Sequence, residues 1–191
     1  MARERKFTHD ELFTTTHLLL LRYGYEGFTF SLLAETLQVS RAAIYKQYMN
    51  KEELISNYMV SALQKVHVEL KSIDQQIPLL GQLDELLTKV YKYKSLQQFF
   101  GIGNQIQDNG SELVILKKKI LMQLQLEMRD IIQELIEQGK KENILNKEIP
   151  SDLILGFILQ SIATPNREGF AQEEWIRSIK ELILYGITKV K

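Results

Sequence analysis

Between Gly24 and Leu54 the chain reads GYEGFTFSLLAETLQVSRAAIYKQYMNKEEL, and this stretch constrains the fold more than any other. Its spacing predicts two short helices around a tight turn, followed by the start of a third helix. Thr29 is a capping residue for a helix over Phe30–Leu37, where Leu33 and Leu37 lie one turn apart on one face. Leu37-Gln38-Val39 breaks that helix, and Ser40 caps the next, over Arg41–Tyr48. In this second helix Ile44 and Tyr48 share one face, leaving Arg41, Ala42, Lys46 and Gln47 to point elsewhere. Asn50 with Glu53 has the spacing of a capping box for the third helix. Two short helices joined by a turn of about three or four residues form a helix-turn-helix, whose second helix enters the major groove of DNA. The plainer alternative is a helical hairpin that only packs. Against it stand the hydrogen-bond donors Arg41, Tyr45, Lys46, Gln47 and Lys51, gathered around one short helix.

At these residues the chain resembles the TetR family of transcriptional repressors. Gly24-Tyr25, Thr29, Leu33-Ala34, Val39-Ser40, Ile44-Tyr45, Tyr48 and Lys51-Glu52 through Leu54 follow that family's pattern in one ungapped register. The departures are Gln38 where the family usually has Gly, Ala42-Ala43 in place of a common small-residue or Gly pair, and Tyr48 for Phe. A non-glycine residue at 38 then has to hold a left-handed turn conformation. The resemblance implies DNA contacts by Thr29, Arg41, Ala42, Ala43, Tyr45, Lys46, Gln47 and Lys51. Thr29, Tyr45 and Lys51 match phosphate contacts, which position a protein without reading sequence. Arg41 and Ala42 match base-reading positions, where arginine suits guanine and a methyl suits thymine. Lys46 is read as a phosphate contact, and Gln47 as either a base or a backbone contact. Ala43 matches a contact position but offers only a methyl.

Composition narrows the alternatives. With 191 residues the chain has room for one large or two small domains. It contains no cysteine, which excludes disulfides, thiolate zinc sites and cysteine nucleophiles and suits a reducing cytoplasm. The polar start MARERKFTHDE is unlike a secretory leader, and no apolar run reaches membrane-spanning length. Formal net charge is zero, so DNA binding requires that the basic residues share a face, because phosphate contacts dominate affinity. No cofactor or metal is expected. His9 and His17 lie on the first helix with no further ligand at metal spacing, and His67 stands alone.

The rest of the chain reads as helical throughout, about nine or ten helices in all, so the expected class is all-α. Residues 2–6 form a charged arm that is either a disordered tail or a minor-groove extension. Thr8 and Glu11 make a capping box for a first helix to about Tyr23, with Leu12, Phe13, Leu19, Leu20 and Leu21 packed and Gly24 as the stop. The helix from Lys51 to about Ser72 carries a stripe of Leu54, Ile55, Tyr58, Ala62, Val66 and Leu70, and links two domains. Pro78 starts a helix to Lys94 with Leu80, Leu83, Leu86, Leu87, Val90 and Tyr91 on its apolar face. A segment softened by Gly101 and Gly103 follows. The next helix spans Glu112–Gln138, with Leu116, Ile120, Leu124, Met128, Ile131 and Leu135 in its stripe and Gly139 as its stop. Ser151 caps a helix over Leu153–Ala163 that is apolar on nearly every side and therefore buried in a core or an interface. The last helix covers about Gln172–Lys189.

The expected organisation is a three-helix DNA-binding domain at residues 1–55, with its motif at about 29–48, and a helical ligand-binding and dimerisation domain at residues 56–191. Two apolar C-terminal helices suggest a homodimer joined as a four-helix bundle, and the family resemblance implies the same. The functional expectation is a cytoplasmic, dimeric repressor that binds a palindromic double-stranded operator and is released by an unidentified small-molecule effector. Tyr58, Met59, His67, Tyr91, Phe99, Phe100, Met122 and Met128 are the candidates to line its pocket, each with ordinary core as the alternative. The rival reading is a helical small-molecule-binding protein or enzyme that does not act on DNA. An enzyme needs a nucleophile with its base, paired carboxylates or a metal cluster, and none stands at recognisable spacing.

Overall fold

The computed structural model describes residues 7–97 and 100–188. Among these residues the regular structure is all helical: α1 His9–Gly27, α2 Phe30–Leu37, α3 Arg41–Tyr45, α4 Lys51–Lys71, α5 Leu79–Lys92, α6 Lys94–Gln97, α7 Phe100–Gln105, α8 Glu112–Lys141, α9 Ser151–Ser161 and α10 Gln172–Ile187. The β-type pairing among them is a single isolated bridge between Leu145 and Thr188. No described helix is long and apolar enough to cross a membrane.

The chain divides into two compact units, Met1–Leu63 with Gln98–Met122, and Gln64–Gln97 with Gln123–Lys191. This differs from a cut after residue 55, because α4 continues through that point and its next turn packs on α1. The Tyr58 ring meets Phe13 edge-on at 5.6 Å, and its hydroxyl lies 2.5 Å from His17 Nδ1. Residues 100–122 join the first unit from far along the chain, a non-local assembly that no local pattern encodes.

In the first unit the predicted caps form. Thr8 Oγ1 accepts from the Glu11 amide at 3.1 Å while the Glu11 carboxylate accepts from the Thr8 amide at 2.8 Å, closing a capping box. α1 does not end at Tyr23. It kinks at Gly24 (φ 67°), which only glycine adopts easily, and resumes to Gly27. Leu12, Leu19 and Leu20 are buried, but Leu21 faces solvent. Leu12, Phe28, Leu33, Ile44, Leu54 and Ile55 are fully buried, each contributing about 1.5–3 kcal/mol. α2 ends at Gln38, which holds the left-handed conformation (φ 56°, ψ 45°) expected of it. The Gln38 amide then reaches the Ala34 and Glu35 carbonyls, and the Val39 amide donates to Ala34 at 3.0 Å.

The second unit packs α5 against α10 and α10 against α9. Its core is built from Leu83, Leu86, Leu87, Ile132, Ile136, Ile154, Leu155, Ile158, Ile179, Ile183 and Ile187. The buried Tyr91 hydroxyl lies 2.5 Å from Ser161 Oγ, tying α5 to α9. Several expectations change here. The buried stripe of α8 is Val114, Leu121, Leu124, Met128, Ile132 and Ile136, and Leu116 is exposed. On α5 Leu79 is buried and Leu80 exposed. Pro150, not Ser151, precedes α9, and it offers no side-chain cap. Within this chain α9 buries Ile154, Leu155 and Ile158, while Leu153, Phe157 and Leu159 are exposed, so its own core covers one side of it. α10 ends at Ile187.

Gly139 is not a helix stop either, because α8 runs on to Lys141 and the left-handed residue is Asn143 (φ 59°). The following turn folds back, so that the Ile144 and Leu145 amides donate to the Gly139 carbonyl. A Cβ on residue 139 would stand 2.6 Å from Leu145 Cγ and 2.9 Å from Leu79 Cδ2, so glycine is present to admit those side chains. Two outcomes follow from this backbone. Gly139→Ala gains up to about 1 kcal/mol of helix propensity, but overpacking of about 1–3 kcal/mol should outweigh it and lower the urea midpoint. Unchanged or raised stability would contradict the close contact. Gln38→Gly removes the left-handed strain and should stabilise the fold by about 1 kcal/mol, read as a rise in melting temperature.

Candidate nucleic-acid interface

α3 is short, and its surroundings hold it in place. Ser40 Oγ accepts from the Ala43 amide at 3.2 Å, and Ile44 on its inner face is fully buried. The helix ends at Tyr45, earlier than the expected Tyr48, with Lys46 as its cap. The turn tightens there as the Gln47 amide donates to the Ile44 carbonyl at 2.9 Å. Tyr48 is buried, and its hydroxyl accepts from Asn57 Nδ2 at 2.9 Å and lies 3.5 Å from His9 Nε2. Ile44 and Tyr48 thus anchor the segment, leaving Arg41, Ala42, Tyr45, Lys46 and Gln47 exposed and Ala43 half-buried.

Four of the predicted contacts line one shallow surface cleft: Thr29, Arg41, Tyr45 and Lys51. Thr29 caps α2, its Oγ1 accepting from the Leu32 amide at 3.2 Å, so its hydroxyl proton is still available to donate. The Tyr45 ring packs edge-on against Phe30, centroids 5.0 Å apart, and the Arg41 guanidinium carbon lies 6.0 Å from the Tyr45 centroid. Gln47 is turned towards a different cleft, with Tyr48, Glu53, Asn57, Leu113 and Lys117. Ala42 offers an exposed methyl beside Arg41, and Lys46 an exposed ammonium at the end of the helix.

Lys51 is tied down. Its ammonium donates to the Tyr25 carbonyl at 3.1 Å and sits 4.2 Å from the Tyr25 ring centroid. Tyr25 in turn donates its hydroxyl to Glu52 at 2.9 Å. Burial, and then this bond to a carboxylate, push the Tyr25 phenol up to about 12. The latch joins the end of the kinked α1 to the first turn of α4 and half-buries the lysine. At the start of α4, Asn50 Oδ1 accepts from the Glu53 amide at 2.9 Å, while Glu53 reaches back to the Met49 amide at 3.0 Å, one residue beyond a capping box.

The cleft also contains Glu26, Glu52, Asn50, Ser31 and Met49. Met49, 77 % exposed, has no counterpart among the sequence candidates. An apolar residue stranded between a helix end and the Asn50 cap was the available signal. Glu26 and Glu52 place negative charge in the cleft that Arg41 and Lys51 also line.

The candidate pocket residues do not share one unit. Tyr58, Met59 and Met122 belong to the first, whereas His67, Tyr91 and Met128 belong to the second. Tyr58, Met59, Tyr91 and Met128 are buried, but Met122 is 66 % exposed and is not a core residue. Burial raises the Tyr58 phenol and lowers His17 from their ordinary values. His67 Nε2 lies 2.8 Å from Glu127 Oε2. Phe99 and the Phe100 side chain lie outside the described residues, as do the arm at residues 2–6 and Val190. Among the described residues no group of three or more His, Asp or Glu is placed to hold one metal ion.

Comparison with known proteins places this geometry. Residues 12–57 match the family described as bacterial regulatory proteins, tetR family. The HTH-type transcriptional regulator YdeS of Bacillus subtilis is 22 % identical over 175 residues, covering 90 % of this chain and 85 % of that protein. Among solved structures, the ketosteroid transcriptional regulator KstR2 of Mycobacterium tuberculosis superposes with a TM-score of 0.79 at 15 % identity, covering 100 % of both chains. A tetR-family regulatory protein from Rhodococcus RHA1 gives 0.77 at 13 % identity, over 95 % of this chain and 97 % of that one. With α2 and α3 as its helix-turn-helix, the segment over residues 12–57 belongs to the TetR family of bacterial regulatory proteins.

Proposed function

We propose that this chain is a cytoplasmic, DNA-binding transcriptional regulator that works as a homodimer, represses from a palindromic operator and is released by a small molecule. The observation that carries the DNA reading is α3 itself. A capped helix anchored by Ile44 and Tyr48 presents Arg41, Tyr45, Lys46 and Gln47 to solvent, the side chains that a major-groove helix needs. Arg41 and Ala42 would read bases, while Thr29, Tyr45 and Lys46 meet phosphates. Lys51 serves both purposes: it holds the α1–α4 latch and leaves ammonium protons for a phosphate. We read the chain as a regulator and not an enzyme.

Dimerisation is supported by α9 and α10. Leu153, Phe157 and Leu159 on α9 and Leu182 and Tyr185 on α10 are exposed on two helices that pack together in one unit, and water-facing apolar side chains of this size mark an interaction surface. A second copy would bury them in an isologous four-helix contact. For the effector, the buried aromatics and methionines favour an apolar or amphipathic molecule, a class consistent with the word ketosteroid in the name of the KstR2 neighbour. α4 runs from Lys51, six residues after α3, to Lys71. A tilt of α4 would alter the spacing of the two recognition helices, which must meet groove faces about 34–36 Å apart. A nearly complete switch requires about a 10⁴-fold difference in effector affinity between the two spacings.

Selecting duplex DNA fragments with the purified protein and titrating salt tests the function. Sequence preference with a steep salt slope is the expected result, and weak binding without preference would remove the reading. On the selected fragment, Arg41→Ala should cost about 1–3 kcal/mol and relax one base pair per half-site. Lys46→Ala should weaken all sequences alike and lower the salt slope by about 1. Sedimentation at micromolar concentration should give about twice the 22.3 kDa chain mass, and Phe157→Glu should give the monomer. A well-behaved wild-type monomer would remove both the dimer and the operator symmetry.

A further inference from the structure

Phe30, Tyr45 and Arg41 form a continuous row of contacts across the two motif helices. Phe30 is the first residue of α2, held in place by the Thr29 cap and buried. Its ring meets Tyr45 edge-on, with centroids 5.0 Å apart and planes at 68°. Tyr45 and Arg41 are the last and first residues of α3, four apart, and so lie on one face of it. The guanidinium carbon of Arg41 stands 6.0 Å from the Tyr45 ring centroid, at the outer range of a cation–π contact.

We propose that the Tyr45 ring is a positioning residue for base reading: clamped by Phe30, it holds the Arg41 guanidinium in a small set of orientations, so that Tyr45 governs sequence preference as well as backbone contact. The proposal rests on the reading of Arg41 as the base-contacting residue. The physical basis is the long, flexible arginine stem. Unsupported, it spreads over many rotamers, and each must be given up when the planar fork meets a guanine edge. An aromatic face on one side removes some of that freedom beforehand. The hydroxyl and the ring of Tyr45 then have separable effects. The hydroxyl of Tyr45, a half-exposed residue lining the cleft, can donate to a phosphate and acts on every sequence alike. The ring acts only through Arg41, and only where Arg41 discriminates between bases.

Three variants separate these effects. Tyr45→Phe keeps the ring and loses the hydroxyl, and it should weaken binding to all sequences while leaving base preference intact. Tyr45→Leu loses both, and it should in addition reduce the preference at the Arg41-dependent base pair by about two- to five-fold, the magnitude of an exposed cation–π contact. Arg41→Ala marks which base pair that is. Because Tyr45 is half exposed, helicity and melting temperature confirm that each variant folds. A second readout needs no DNA: the Arg41 Hδ protons of the free protein should be ring-shifted upfield in the wild type and in Tyr45→Phe, and should move to ordinary values in Tyr45→Leu. Equal shifts in all three, or a Tyr45→Leu protein with wild-type preference where Arg41→Ala has lost it, would overturn the proposal. If Arg41→Ala changes no preference at all, the base-reading role of Arg41 fails, and the proposal with it.

Discussion

A helix of one and a half turns has no stability of its own in water, because nucleation fixes several residues for very few hydrogen bonds. α3 is such a helix, with five residues, and it exists because its surroundings provide what it lacks. The Ser40 hydroxyl accepts from the Ala43 amide at one end, and Ile44 is sealed into the core of the first unit. Tyr48 is buried just beyond its last turn, with Asn57 of α4 donating to its hydroxyl. The left-handed Gln38 sets the angle at which α3 leaves α2. Whatever the segment presents to DNA therefore depends on contacts made by its inner face.

The electrostatics of the motif follow from the same arrangement. A chain of zero net charge cannot attract DNA by its overall field, so local placement has to do so. Lys51 is partly used up within the protein, held by the Tyr25 carbonyl and ring. Glu26 and Glu52 line the cleft beside it. Arg41 and Lys46 are left as the outward cations of the motif, at opposite ends of α3. Among the described motif residues, the cations available to phosphates are therefore carried by this one short helix and its cap.

The second unit presents a different balance. α9 and α10 put Ile154, Leu155, Ile158, Ile179, Ile183 and Ile187 into the core and still have Leu153, Phe157, Leu182 and Tyr185 facing outward. A helix apolar on two sides satisfies one of them within its own chain and leaves the other exposed there. The Tyr91–Ser161 bond adds a polar constraint between α5 and α9, and a misplaced partner there would strand a buried hydroxyl.

By itself the sequence determined the all-helical class and the caps at Thr8, Thr29 and Ser40, because these depend on residues three or four positions apart. The resemblance to the TetR family is carried chiefly by residues 24–54, a contiguous stretch whose residue types stand at fixed short spacings. The αL turn at Gln38 was legible through that resemblance, which places Gly at this position. Tertiary structure decided what depends on distant neighbours. Gly139 looks like a helix stop in sequence, yet it is a contact point for Leu79 and Leu145, which only folding brings there. Leu116 and Leu153 have the period of a core face but are exposed, since periodicity defines a face without saying what covers it. Lys51 is a cation in sequence, and the carbonyl and ring of Tyr25, 26 residues away, make it a latch. The placement of Arg41 is likewise set by an aromatic chain that begins at Phe30 on another helix. Short-range hydrogen bonding is encoded by spacing, whereas packing and charge pairing require coordinates that spacing does not contain.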